Sequence, residues 1–345
     1  MERALNSMEE KELIQLMEDL GEPRYRARQL FHFFHKEKQE DLSQAKLLPA
    51  ALRDALQAYP LCTVKEEAVL ESKDGSRKFL FRMRDQALVE SVWMPYKDRI
   101  TACLSTQVGC RMGCAFCAST KAPFVRSLEA GEILGQVYQM ERCTASTIDH
   151  LVIMGIGEPL DNYEELVGFL RLITAKEGKH LSARSITLST CGLVPKIRAL
   201  AREGLPINLA ISLHASSDAD RQRTMPIAKK YRIAEIREAC LDYFRQTGRR
   251  ISLEYVLIEG MNDRKEDVDR LAALFRGPMW HINLLPLNPI SEFSGQPLSD
   301  PAIERFRALL EKRGLTVSVR RKRGADIDAA CGQLRILYQA LGGGQ

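Results

Sequence analysis

No apolar run in the chain approaches the roughly 18 residues that a membrane-spanning helix needs. The first residues carry Glu2, Arg3, Glu9, Glu10, Lys11 and Glu12, so they do not read as a signal peptide, and a cytoplasmic protein without a membrane partner is expected. No internal repeat is visible, and no low-complexity segment apart from Gly342-Gly343-Gly344, which excludes solenoid and fibrous architectures. An even cysteine count is also lacking. The chain has nine, and in a reducing compartment an odd number argues against a disulfide framework. At 345 residues the core is large enough to need no such staples. Strong charge is missing too: 50 basic against 45 acidic residues leave +5, which permits an anionic partner without requiring one. Residues 1–60 hold 9 of those basic and 11 of those acidic groups, so they carry −2 and the remainder +7.

What is present is an ordinary globular composition, 45% apolar and 28% charged, fitting one large domain or two modest ones. Hydrophobic spacing predicts helices in residues 1–60. Ser7 with Glu10 has the pattern of a capping box, and that helix should stop near Gly21, ahead of Pro23. A second helix runs through Tyr25, Leu30, Phe31 and Phe34, and a third covers about 47–58, ending before Pro60. Residues 61–99 read as a small β connecting element, with strands at Lys78–Met83 and Val89–Trp93 and a tight turn at Asp74-Gly75. From about 100 onward, strands and helices alternate. Strands are expected near 100–105, 149–154, 184–189, 207–213, 250–257, 280–285 and 315–320. Helices are expected at 127–142, 161–176, 194–203, 233–246, 264–276 and 300–313. The alternation predicts an α/β fold with a parallel sheet, and too few units for a closed eight-fold barrel. The expected organisation is a helical accessory unit at 1–60, the β element at 61–99, a partial (β/α)6 barrel at 100–335 and a tail at 336–345.

The sharpest local feature is Cys110-Arg-Met-Gly-Cys114-Ala-Phe-Cys117. Cysteine thiolates hold iron–sulfur clusters, four to a cubane in the usual case, so three close cysteines leave one iron open for chemistry. Cys114 and Cys117 alone could be a redox pair or half a zinc site, but zinc would want a second close pair or nearby histidines, and the chain has neither.

This spacing is the signature of radical S-adenosylmethionine enzymes. The surrounding segments are more specific: Cys103-Leu-Ser-Thr-Gln-Val-Gly-Cys110, Met154-Gly-Ile-Gly157-Glu158-Pro159-Leu, Ile211-Ser212-Leu213-His214-Ala and Asp326-Ile-Asp-Ala-Ala-Cys331-Gly-Gln-Leu. Together they resemble the radical-SAM RNA adenine methyltransferases, the RlmN and Cfr group, over most of the chain and in the family's order. The resemblance implies a radical-SAM partial barrel. It implies a [4Fe–4S] cluster on Cys110, Cys114 and Cys117, with S-adenosylmethionine chelating the open iron. Gly157 and Glu158 match the segment that meets the amino group of S-adenosylmethionine, and Ser189, Ser212, Leu213, His214 and Asn288 match further contacts to it. All of these fall at or just after the expected C-terminal ends of strands, where parallel α/β folds place ligands.

The same resemblance assigns the chemistry to Cys331, Cys103 and Glu90. Carbon 2 of adenine is electron-poor and will not attack a sulfonium methyl, whereas a thiolate will. In the family, the cysteine matching Cys331 is methylated by one S-adenosylmethionine, and a second supplies a 5′-deoxyadenosyl radical that abstracts hydrogen from the S-methyl group. The resulting radical adds to the ring. The cysteine matching Cys103 then forms a transient disulfide with it and releases the product, and external thiols reduce that bond. Glu90 matches the proposed base for the ring proton. Read without the resemblance, Cys331 and Cys103 are small buried thiols and Glu90 an exposed strand residue. Cys62, Cys143, Cys191 and Cys240 match no role.

By the same resemblance the substrates are an adenine of 23S rRNA and an adenine of tRNA, with a flavodoxin-like electron donor as a further partner. Arg320-Arg321-Lys322-Arg323 is the first phosphate-contact candidate, and Arg24, Arg26 and Arg28 the second; solvated charge is the plainer reading of both. Gly248–Tyr255, Gly260–Asp263 and Leu209–Ala215 look like the carbon-2 branch; carbon-8 methylation, the antibiotic-resistance activity, is the alternative. Departures from the family pattern are Cys191 and Leu287, the latter where a tryptophan is frequent.

Overall fold

The computed structural model describes residues 3–321, 323–329 and 333. The chain opens with α1 (Glu10–Asp19), α2 (Tyr25–His35) and α3 (Ala50–Leu56). The first helix is capped by Glu9 and Glu12 rather than by Ser7 and Glu10: the Glu9 N–H donates to the Glu12 carboxylate at 2.7 Å. Ser7 is unavailable because it is buried and its hydroxyl accepts the Gly131 N–H at 3.0 Å, which ties the helical unit to the body. Asn6 adds a two-way bond to the Cys62 backbone, at 2.8 and 2.9 Å.

An antiparallel meander follows: β1 (Val64–Glu71), β2 (Arg77–Met83), β3 (Leu88–Tyr96) and β4 (Arg99–Cys103). β1 was not expected as a strand. It alternates little and is mostly exposed because it forms one edge of the sheet, where charged residues such as Lys65, Glu66 and Glu67 discourage further pairing. A short ribbon, β5 (Gln107–Val108) with β6 (Arg126–Ser127), frames the loop that carries the three cysteines.

Thereafter strands and helices alternate as α4 (Ala130–Thr144), β7 (His150–Ile153), α5 (Tyr163–Thr174), β8 (Ile186–Thr190), α6 (Val194–Leu200) and β9 (Asn208–Ser212). They continue with α7 (Asp218–Thr224), α8 (Ile233–Thr247), β10 (Ile251–Leu257), α9 (Lys265–Leu274), β11 (Trp280–Pro286), α10 (Asp300–Lys312) and β12 (Val317–Val319). β4, β7, β8, β9, β10, β11 and β12 pair in parallel, in that order, so the meander and the barrel strands form one mixed sheet of ten strands among the described residues. This is the expected partial (β/α)6 arrangement, with β12 added at the far edge. In β10, for example, Ile251, Leu253, Tyr255 and Leu257 share one face and are buried in the core, while Glu254 and Val256 on the other face line a cavity.

Period-2 alternation makes the meander two-faced. Phe79, Phe81 and Val89 face the core, and Ser91 on that side hydrogen-bonds Gln136 of α4 at 2.6 Å. The register places Val92 opposite both Lys78 and Cys103, so Lys78, Glu90, Val92, Met94, Tyr96, Cys103 and Arg99 share the other face.

Candidate active site

The cysteine loop is held in place by its backbone. Gly109 has φ +77°, and a Cβ there would lie 2.2 Å from the Pro123 carbonyl oxygen, so the loop closes only around glycine. Thr120 Oγ1 donates to the carbonyls of Cys114 and Cys117 at 3.0 and 2.9 Å, and the Ala115 N–H donates to the Thr224 carbonyl at the end of α7, at 2.8 Å. Cys110, Cys114 and Cys117 thereby line one cavity. Burial pushes all three thiols up, Cys110 to about 12. Among the described residues no three ligating side chains converge on a point for a single metal ion. In a cubane each thiolate would bind a different iron. An iron–sulfur cluster is also the cationic group that would hold three buried thiols as thiolates.

The opposite wall comes from the ends of β7, β8, β9 and β11. Gly157 has φ +108°, and a Cβ would lie 2.7 Å from that of Gln107, so this turn runs flush against the strand before the cysteine loop. Gln107 Oε1 accepts the Glu158 N–H at 2.9 Å. Glu158 is buried, and its carboxylate accepts the N–H groups of Leu160 and Cys191 at 3.1 and 2.8 Å. Burial pushes its pKa up against these bonds. Ser189 and Ser212 face one another at 3.3 Å. His214, at φ +55°, accepts the Val256 N–H on Nδ1 at 3.1 Å. Burial, then the Arg221 charge, holds its pKa down at about 3, so the ring is neutral and its proton sits on Nε2. Asn288 completes the set.

Phe116, Met154, Met225, Val256 and Leu287 are among the apolar residues of the lining. An apolar cavity with buried carboxylates, serine hydroxyls, a neutral imidazole N–H and an amide suits a ligand that joins an ammonium and carboxylate to a nucleoside. Three thiols on one wall and this set on the other fit a cluster with a chelating S-adenosylmethionine.

Not every expected residue reaches this cavity. Leu213 is fully buried in the core, with its carbonyl accepting Arg221 Nε at 3.1 Å. Cys103 and Glu90 lie on the adjoining face of the meander, where Cys103 packs with Val92, Met94, Ile156 and Ala329. Glu90 is not the exposed strand residue of the plainer reading; it is buried, with Oε1 3.6 Å from Lys78 Nζ. Cys331 lies outside the described residues.

Three further residues at the cavity received no role from the sequence. Cys191 lines the cavity. Arg221 is fully buried under it and donates to the carbonyls of Cys191, Ser212 and Leu213. Glu254 lines it as well, and burial raises its pKa while Asn283 Nδ2 donates to it at 2.8 Å. A lone acid inside the apolar run of β10 was the available hint for Glu254. The basic candidates also divide: Arg24 and Arg28 are paired with Glu18 and Glu10, whereas Arg320 turns inward, Nη1 3.5 Å from Met154 Sδ.

Residues 104–272 match the Radical SAM superfamily, and residues 4–60 match the ribosomal RNA large subunit methyltransferase N-terminal domain. The protein named "Probable dual-specificity RNA methyltransferase RlmN" of Alkaliphilus oremlandii is 45% identical over 333 residues, covering 96% of this chain and 97% of that one. Its namesake from Lachnoclostridium phytofermentans is 43% identical over 330 residues, 95% and 93% of the two chains. The chain belongs to the RlmN family of radical SAM RNA methyltransferases. A solved radical SAM methyltransferase from Sphaerobacter thermophilus superposes with a TM-score of 0.91 at 42% identity, over 97% of this chain and 99% of that one. The RlmN-type reading therefore holds over the Cfr alternative. Membership brings a [4Fe–4S] cluster and S-adenosylmethionine as cofactors and RNA as substrate class. Among the described residues no helix is long and apolar enough to cross a membrane.

Proposed function

We propose that this chain methylates carbon 2 of an adenine in 23S rRNA and in tRNA. Cys110, Cys114 and Cys117 hold the cluster, and Gly157, Glu158, Ser189, Ser212, His214 and Asn288 hold S-adenosylmethionine. One observation carries the reading. The face that bears Glu90 and Cys103 is covered by Ile327 and Ala329, in the segment that leads into Cys331. Ile156 belongs to the same apolar cluster, and its neighbours Gly155 and Gly157 line the cofactor cavity. Cys103 and the segment that leads toward Cys331 thus border the cofactor cavity through Ile156.

Bound beside the cluster, S-adenosylmethionine supplies a methyl group in one use and a hydrogen-abstracting radical in the next. The residues of the chain do the rest. The Cys331 thiolate takes the methyl group and presents its carbon to the adenine. Glu90 accepts the proton from carbon 2, with Lys78 Nζ 3.6 Å from its Oε1. The Cys103 thiolate attacks the Cys331 sulfur; the product carbon leaves with the electron pair of the broken C–S bond and takes up a proton to become the methyl group, and an external thiol reduces the resulting disulfide. Glu90 and Cys103 are diagonal neighbours on adjacent strands, roughly 7–8 Å apart by backbone spacing, so both can reach one base.

For RNA, the same face ends in Tyr96, whose ring is stacked by the guanidiniums of Arg99 at 5.2 Å and Arg323 at 4.3 Å. Two cations fixed on one aromatic at the edge of the reactive face suit the phosphates that flank a splayed-out base. Cytoplasmic location and a flavodoxin-like donor belong to this proposal. Nucleoside mass spectrometry of rRNA and tRNA from a complemented deletion strain tests it: 2-methyladenosine in both is expected, and 8-methyladenosine alone would overturn it.

A further inference from the structure

We propose that the turn between β1 and β2 is the dock that aims the Cys331-bearing segment, with Asp74 and Asp326 as reciprocal positioning residues. The inference rests on the role proposed for Cys331.

The contacts are reciprocal and span about 250 residues of sequence. Asp74 Oδ2 accepts the Gly324 N–H at 3.0 Å. Asp326 answers from the other side: its Oδ1 accepts the Ser72 hydroxyl at 2.6 Å and its Oδ2 the Lys73 N–H at 3.1 Å. The turn that presents these groups is itself braced. Asp74 Oδ1 accepts the Ser76 N–H at 2.9 Å, the Ser72 N–H donates to the Ser76 carbonyl at 2.8 Å, and Ser72 is buried. Burial of Asp74 works against its charge, but the bonds from Ser76, Gly324 and Ser72 outweigh it and hold the carboxyl at about 2, so it is anionic at neutral pH. A third tie follows, where Lys78 Nζ reaches the Asp328 carbonyl at 3.4 Å while also facing Glu90.

The docked segment is a closed loop. The Ala329 N–H donates to the Gly324 carbonyl at 2.8 Å, and Asp328 turns the chain at φ +50°, a left-handed conformation that aspartate tolerates better than most residues. Ala329 leaves that loop packed against the face that bears Cys103, two positions before Cys331. None of Ser72, Asp74 and Asp326 lines the cofactor cavity. A surface salt link would stabilise the fold at either end; this dock instead fixes where Cys331 enters relative to Cys103 and Glu90. Misplacing a reacting group by about 1 Å costs on the order of 100-fold in rate.

The experiment compares the wild-type holoenzyme with Asp74→Ala, Asp326→Ala and the double variant. It measures bound iron, 5′-deoxyadenosine released, and 2-methyladenosine formed in RNA. Iron content and 5′-deoxyadenosine formation should stay within about two-fold of wild type, while methylated adenine per 5′-deoxyadenosine falls at least about 10-fold. Asp326→Asn keeps one acceptor oxygen and should recover part of that ratio. An unchanged ratio in the double variant, or a fall in iron and 5′-deoxyadenosine parallel to that in product, would overturn the dock. If the double variant does not fold, Ser72→Ala, which removes one bond, should still lower the ratio; an unchanged ratio there has the same meaning. Failure of the underlying reading is separate: it would appear as wild-type enzyme that never methylates Cys331.

Discussion

The Val256 N–H donates to His214 Nδ1 at 3.1 Å, and this one bond sets the tautomer of the imidazole that faces the cofactor cavity. With Nδ1 occupied as an acceptor, Nε2 carries the proton and is the donor left to a bound molecule. Because burial holds the ring neutral, His214 should not titrate where the enzyme works. S-adenosylmethionine affinity should be flat from about pH 6 to 8 in any term that involves His214. His214→Gln, which can still donate, should lose less affinity than His214→Leu. Equilibrium binding at several pH values checks both statements; a binding curve that follows a pKa near 6.5 and vanishes in His214→Leu would contradict the assignment.

His35 tests the same physics away from the site. It is buried among Phe31, Phe34 and Tyr138, neither ring nitrogen has a partner among the described residues, and burial holds its pKa down at about 3. Between 6.5 and about 3 the unfolded chain binds a proton that the folded chain refuses. Stability is therefore lost as pH falls through that window, by up to ~1.4 kcal/mol per pH unit for one such group. His35→Phe should narrow the gap between melting temperatures at pH 7.5 and pH 5. An equal gap in the two proteins would show that His35 is not buried in the neutral form.

Cluster ligation should divide the cavity cysteines. Cys191 lines the same space as the three motif cysteines, but what it gives the site is the backbone N–H bonded to Glu158. Cys191→Ala should keep close to full iron and the cluster's absorbance after anaerobic reconstitution. Alanine at Cys110, Cys114 or Cys117 should leave little of either. Loss of the cluster in Cys191→Ala would make it a fourth ligand and close the open iron.

Arg221 gives the largest expected stability effect outside the apolar core. Replacing it with leucine leaves the carbonyls of Leu213, Ser212 and Cys191 without their buried donor, at ~1–3 kcal/mol for each unsatisfied group. Urea denaturation should show a loss of at least ~3 kcal/mol. An unchanged midpoint would mean that water reaches these carbonyls.

For the RNA face, Arg99→Ala with Arg323→Ala should weaken RNA binding without changing the rate at saturating RNA. The slope of log affinity against log salt should fall by about one for each phosphate contact removed. A binding constant and salt slope equal to wild type would move the RNA elsewhere.

What could be read in the sequence was what its local spacing determines. The three cysteines sit within eight residues, so their shared cavity needed no tertiary information. The strands and helices after residue 100 follow from runs of apolar residues with clear punctuation. Three features depended on partners far along the chain. The capping pattern at the first helix is satisfied twice, by Ser7-Glu10 and by Glu9-Glu12, and the choice is made by Gly131, which takes the Ser7 hydroxyl. Arg221 stands in Asp-Arg-Gln-Arg, a string that reads as a solvated helix face, yet three carbonyls from other elements draw it fully inside. Asp74-Gly75 was legible as a turn, but that Asp74 holds Gly324 is written only in the fold.

In the proposed reaction the Cys331 sulfur carries the carbon that RNA receives. The most direct measurement is peptide mapping by mass spectrometry of the Cys103→Ala variant after turnover with S-adenosylmethionine, in which the sulfur that would release the product has been removed. The expected result is a Cys331 peptide that is S-methylated, or joined through its methylene carbon to adenosine when RNA is present. A Cys331 peptide that stays unmodified while 5′-deoxyadenosine continues to form would contradict it.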